Sequence, residues 1–152
     1  MIKKPKFIVV HYSDSDNGNI RTFRDYHMNH NKWSDVGYNY VIPRDGSIEN
    51  FIGEIAVGSH ALPTYKGWNS DSIGICVVCT KDKPYFQWQI RQLVWLIQTL
   101  MSKYGIPLDN IIGHKETGRE TDCPGPIDMD KLRKLVESTR PYYKDFVTHC
   151  VI

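Results

Sequence analysis

Hydrophobic and polar positions divide the chain into short runs with two different periods. Phe7-Ile-Val-Val-His-Tyr12 is a continuous apolar stretch, which suits a central strand covered on both faces and leaves His11 near its carboxyl end. From Ile20 to about His30, Ile20, Phe23 and Tyr26 or His27 recur three to four residues apart, predicting a modest amphipathic helix. Val36 to Ile42 alternates and predicts a strand with Tyr38, Tyr40 and Ile42 on one face. Arg44-Asp-Gly-Ser47 then supplies the turn of a hairpin into Ile48-Glu-Asn-Phe-Ile52.

A polar connection from Ser59 to Asp71 leads to Ile73–Cys79, a buried strand by its β-branched content. The clearest helix follows, with Pro84 in its first turn. Phe86, Ile90, Leu93, Val94, Ile97, Leu100, Met101 and Tyr104 keep helical spacing until Gly105 and Pro107 stop it. Ile111-Ile-Gly-His114 is one more strand delivering a histidine, and Asp128 opens a last helix carrying Met129, Leu132, Leu135 and Val136 that Pro141 ends. Strand and helix alternate in the order βαββ, βα, βα. That order argues for an α/β fold, a mixed central β-sheet flanked by helices.

Composition narrows the functions that such a fold can carry. An apolar share of 41% over 152 residues builds one core without disulfide staples, so the expectation is a single domain over 1–152, with a core at about 7–143 and a tail at 144–152. A net charge of +2 excludes a disordered polyelectrolyte and a strongly basic nucleic-acid binder. The first apolar run is four residues long before His11, short of a secretory signal, and no run approaches the roughly 18 residues of a membrane span. The expectation is therefore a protein made in the cytoplasm, with no membrane insertion. Cys76 and Cys79 have the spacing of a metal or redox pair, but a period of two puts them on opposite faces of a strand. They read as small buried apolar residues.

His11 and His114 both fall at the carboxyl ends of predicted strands, where sites form in open α/β sheets. The loop Gly113-His114-Lys-Glu-Thr-Gly-Arg-Glu-Thr-Asp-Cys123-Pro-Gly125 adds a thiol nine positions after the second histidine. Zinc accepts such donors tetrahedrally, and three protein ligands with one open position describe a catalytic site. By spacing alone these histidines could equally be hydrogen-bonded structural residues.

Taken together, the motifs resemble a known family. Phe7-Ile-Val-Val-His11, His27 with Lys32-Trp-Ser-Asp-Val-Gly-Tyr-Asn-Tyr40, Arg44-Asp-Gly46, Gly58-Ser-His60, Asn69-Ser-Asp-Ser-Ile-Gly-Ile75, Gly113-His114 and Cys123-Pro-Gly125 follow a recognisable order. It is similar to that of the zinc N-acetylmuramoyl-L-alanine amidases, a group that includes small phage amidase-type lysozymes and the peptidoglycan recognition proteins. The resemblance runs from about Phe7 to Leu135. It implies a zinc-bearing groove and hydrolysis of the amide between N-acetylmuramic acid and the first L-alanine of the peptidoglycan stem peptide.

Position by position, the resemblance makes His11, His114 and Cys123 the zinc ligands and Tyr38 a catalytic residue beside them. Thr121 stands where some members carry a lysine and others a threonine. It can donate a hydrogen bond to a developing oxyanion but brings no positive charge. His60, Trp68 and Asn69 are expected to touch substrate. Their ordinary readings are a loop histidine for His60 and a core cap for Trp68, and Tyr38 would otherwise be half of a Tyr38/Tyr40 strand face. His27 and Trp33 are expected to support the helix-to-strand turn, and Trp88 and Trp95 to pack. Zinc suits the reaction because it lowers the pKa of bound water from about 15.7 to about 7, worth about 12 kcal/mol. The partner implied is bacterial peptidoglycan, attacked by a monomer of phage or prophage endolysin type that reaches the wall after lysis, pore formation or non-classical export. A non-catalytic peptidoglycan-binding module is the alternative, and such modules typically lack the metal cysteine kept here.

Overall fold

The computed structural model describes residues 1–2, 4–61 and 67–147, with 140–147 described by their backbone alone. Five strands form one sheet in the order β3-β2-β4-β1-β5. β1 is Phe7–Tyr12, β2 Tyr40–Ile42, β3 Glu49–Asn50, β4 Ser72–Val77 and β5 Ile111–Gly113. β1 pairs in parallel with β4 and β5, β2 in parallel with β4, and only β3 runs antiparallel, against β2. The continuous apolar runs sit in the middle of the sheet because both of its faces are covered.

One face carries the larger core. Ile8 and Val10 of β1, Tyr40 and Ile42 of β2 and Ile73, Ile75 and Val77 of β4 pack there with Leu93, Ile97, Leu100 and Met101. Those last four belong to α3, Gln87–Tyr104, which ends at Gly105 with φ 68° as its pattern predicts. Buried Gln89 clamps the strand ends, its amide donating to the carbonyls of Ile42, Pro43 and Val78. The other face is thinner, with Ile20, Val36, Val41, Cys76 and Val78 under α1, Ile20–Asn29. Asn19 and Thr22 cap α1 reciprocally, each side-chain oxygen accepting the other's backbone N–H at 2.9 Å. Cys76 packs on this thinner side and Cys79 on the larger one, opposite faces as expected.

Several expectations are corrected. The strand predicted over 36–42 is Tyr40–Ile42 alone, and Tyr38 packs on the α1 side while Tyr40 packs in the larger core. Alternation breaks at Asn39, whose buried side chain bonds backbone on both flanks instead of following the pleat. The second hairpin strand shrinks to two residues, and the polar connection holds a short helix, α2, Trp68–Asp71. Trp88 and Trp95 are 49% and 40% exposed and lie outside the core, although Trp88 does pack, stacked on the Phe86 ring with centroids 4.4 Å apart. The last helix, α4, spans Met129–Val147 and runs past Pro141, at the loss of the one backbone hydrogen bond that proline cannot donate. The predicted tail beyond Val147 lies outside the described residues.

Candidate metal and active site

Parallel pairing of β1 with β5, in a register that sets Val10 opposite Gly113, delivers His11 and His114 side by side at the carboxyl ends of the two strands. Their ring centroids are 4.5 Å apart. His114 opens a turn, His114–Thr117, that is fixed on three sides. Glu116 accepts the Gly113 N–H at 2.6 Å and pairs with Arg133 at 3.2 Å, Arg133 donates to the Ile111 carbonyl at 2.9 Å, and the Trp68 indole donates to the Thr117 carbonyl at 3.1 Å. The loop then folds back, Lys115 N–H donating to the Cys123 carbonyl at 2.8 Å. Cys123 Sγ thereby comes to 3.6 Å from His11 Nδ1. One donor atom from each of His11, His114 and Cys123 lies within 4.8 Å of the others.

His60 stands behind His11. Its Nδ1 is 3.0 Å from His11 Nε2 and its Nε2 is 3.4 Å from Ser72 Oγ, so both ring nitrogens are engaged. Ser72 in turn donates its hydroxyl hydrogen to the Trp68 carbonyl. Tyr38, freed from the strand face by Asn39, sets its ring 5.3 Å from that of His11. These groups surround a cavity of about 220 Å³ whose wall also includes Tyr12, Trp33, Ser59 and Arg119.

Burial governs the charge here. It lowers the pKa of His11 well below the usual imidazole range, with His60 and His114 adding to the effect. The same burial takes His60 down to about 3, and His114 to about 4 with a contribution from the Arg119 guanidinium. All three imidazoles are therefore neutral near pH 7. Burial pushes the Cys123 thiol up to about 12 and holds the Tyr38 hydroxyl well above the usual phenol range. Two neutral imidazoles and a thiol form a borderline-soft donor set suited to zinc. His114 Nε2 is buried with no hydrogen-bond partner among the described residues, as befits an imidazole kept for a ligand.

The structure thus brings His11, His114, Cys123, Tyr38 and His60 together, and leaves three expected residues off the cavity wall. Thr121 Oγ1 accepts the Cys123 N–H at 3.2 Å and shapes the turn that presents the thiol. Trp68 packs edge-on against Phe7 with ring centroids 4.9 Å apart. Asn69 spends its side-chain oxygen on the Ala61 N–H at 2.8 Å. Trp33 supports the turn as expected, its backbone N–H donating to the His27 carbonyl at 3.1 Å and its ring 4.7 Å from that of His27, and it also lines the cavity together with Arg119, which no motif points to. The local signal for Arg119 was faint, a lone cation one residue after a turn glycine.

Comparison with known proteins settles the family. The Amidase_2 pattern, N-acetylmuramoyl-L-alanine amidase, matches residues 2–126. The chain belongs to this amidase family. The amidase is 44% identical over 128 residues to the endolysin of Enterobacteria phage K11, covering 80% of each chain. It is 42% identical over 106 residues to the endolysin of Enterobacteria phage T3, covering 64% of this chain and 67% of that one. Among solved structures, the N-acetylmuramoyl-L-alanine amidase LysC from Clostridium intestinale matches the amidase with a TM-score of 0.78 and 29% identity, over 88% of this chain and 86% of that one. The amidase is accordingly a hydrolase with the mixed, helix-flanked sheet that its motifs implied.

Proposed function

We propose that this amidase cuts the bond between N-acetylmuramic acid and L-alanine in bacterial peptidoglycan, using a zinc ion held by His11, His114 and Cys123, and that it serves a phage as its endolysin. The observation that carries the reading is the three-donor cluster on the wall of a cavity, two donors at parallel strand ends and one on a returning loop. Zinc bound there would polarise the scissile carbonyl and acidify water, the two things amide hydrolysis lacks at neutral pH.

The chain's own residues do the rest. Tyr38, held protonated at neutral pH by burial, donates a hydrogen bond to the oxygen that gains charge as the amide is attacked. Arg119 brings to the cavity wall the positive charge that Thr121 does not. Thr121 holds the turn before Cys123, and the thiol gives up its proton when it becomes a ligand. Trp33 adds an aromatic surface to the cavity wall. The amidase works as a monomer, and it reaches the wall after lysis, through a pore or by non-classical export. No helix among the described residues is long and apolar enough to cross a membrane.

Mass spectrometry of material released from purified peptidoglycan tests this directly. Zinc-loaded protein is expected to release stem peptides with a free amino-terminal L-alanine, and the chelated control none. Intact peptidoglycan in the presence of bound zinc would refute the catalytic reading.

A further inference from the structure

His60 was expected to touch substrate, yet the structure spends both of its nitrogens inside the protein. We propose that His60 is a positioning residue for His11, accepting the His11 Nε2–H so that Nδ1 of His11 is the nitrogen turned to the metal. The inference rests on the zinc reading above and adds to it the atom that binds and the group that selects it.

The direction of the chain of hydrogen bonds follows from its far end. A backbone carbonyl only accepts, so the bond between Ser72 Oγ and the Trp68 carbonyl takes the hydroxyl's single hydrogen. The Ser72 oxygen is then left to accept, and His60 Nε2, 3.4 Å away, must be the nitrogen that carries hydrogen. A neutral imidazole has one N–H and one bare nitrogen, so His60 Nδ1 is bare. Across 3.0 Å it faces His11 Nε2, which therefore carries the His11 hydrogen. What remains on His11 is a lone pair on Nδ1, aimed at the side where Cys123 Sγ lies 3.6 Å off.

The strand beneath is shaped to hold this ring. A Cβ on Gly74 would come within 2.5 Å of His60 Cγ, so only glycine lets the imidazole lie against β4 at that point. Asn39 fixes that stretch of β4 from the far side, its backbone N–H and side-chain oxygen bonding the Gly74 carbonyl and N–H at 2.9 Å each. His60 then stands at 84° to His11 with ring centroids 5.1 Å apart, its bare nitrogen pointed at the His11 N–H. At 5% exposure it is among the most buried polar residues described. Partners of this kind orient a ligating histidine, and their loss typically weakens metal binding about 10- to 100-fold.

The experiment combines a tautomer measurement with zinc titration. In the protein labelled with ¹⁵N-histidine, long-range ¹H–¹⁵N correlation is expected to show His11 and His60 both protonated at Nε2. A His11 protonated at Nδ1 overturns the proposal whether or not zinc binds. By chelator competition, His60→Ala is expected to bind zinc about 10- to 100-fold more weakly than the parent. His60→Asn, whose amide oxygen takes the place of Nδ1, should stay within about threefold of the parent, and its cobalt-substituted form should keep the parent's visible absorption while that of His60→Ala shifts. Thermal melts without metal confirm that both variants fold. Parent-like zinc affinity in folded His60→Ala overturns the positioning role. Parent-like affinity in Cys123→Ser would overturn the zinc reading itself, so the two failures are distinct.

Discussion

Replacing Asn39 with alanine should remove more stability than any surface change, because its side chain satisfies backbone groups of two separate segments. Asn39 is fully buried. Its Oδ1 accepts the Gly74 N–H at 2.9 Å, and its Nδ2 donates to the carbonyls of Ala56 at 2.8 Å, Gly53 at 3.2 Å and Glu54 at 3.3 Å. A buried donor left unsatisfied costs about 1–3 kcal/mol, and a shortened side chain leaves one such N–H and at least one such carbonyl, that of Ala56. The two longer contacts share the same amide hydrogens and add little. The expected loss is about 3–5 kcal/mol, a large part of the ~5–15 kcal/mol that holds a domain of this size together. In a chain of this length that corresponds to a fall in Tm of roughly 6–20 °C. Urea denaturation followed by circular dichroism, with the slope unchanged from the parent, measures it. A loss below about 1 kcal/mol would show that backbone groups at Gly74 and Ala56 find other partners, and would refute the account of why Tyr38 leaves the strand face.

Three further outcomes test the site. Cys123→Ser should fold but lose zinc and with it peptidoglycan hydrolysis, read by metal analysis and turbidity loss of wall suspensions; full activity would sink the ligand assignment. Zinc affinity in the parent should rise about tenfold per pH unit between about 6 and 9, since a thiol near 12 releases one proton on binding while histidines already neutral release none. Chelator competition across that range gives the slope, and a flat line would show that Cys123 does not ligate. Arg119→Ala should lower kcat by roughly 100-fold with zinc affinity intact, as loss of a charged transition-state donor does, whereas Thr121→Ala should leave kcat within a few-fold of the parent.

Much of the fold was legible because period and turn chemistry act locally. The apolar runs of β1 and β4, the spacing along α3 and its stop at Gly105 each encode their own structure. The two histidines were legible for a related reason: a strand end is readable, and parallel pairing does the rest. What failed depends on distant partners. Tyr38 looks like a neighbour of Tyr40 on one face until Gly74, on the adjacent strand β4 and 35 residues away in sequence, claims Asn39 between them. Other bonds are equally invisible to a local reading: the Trp68 indole N–H goes to Thr117 and the Asn69 side-chain oxygen to the Ala61 N–H, 49 and 8 residues away. Arg119 reaches the cavity only because the loop doubles back through Lys115 and Cys123, which no local pattern announces.

The charge balance of the cavity gives these placements a common purpose. At neutral pH the donors are two neutral imidazoles and a protonated thiol, and among the described residues the one formal charge on the wall is that of Arg119. A dication that enters with loss of one thiol proton leaves the donor set at a net single positive charge. A carboxylate behind His11, a common support for a ligating histidine, would cancel that charge and make the imidazole a stronger electron donor. His60 supplies the same hydrogen bond without the negative charge. On this reading the cavity stays electron-poor, Arg119 adds to the same field, and burial favours the neutral Tyr38 hydroxyl over an anion that would oppose it. Each choice favours the negative oxygen that forms when an amide carbonyl is attacked, and the low dielectric of a buried site enlarges the effect.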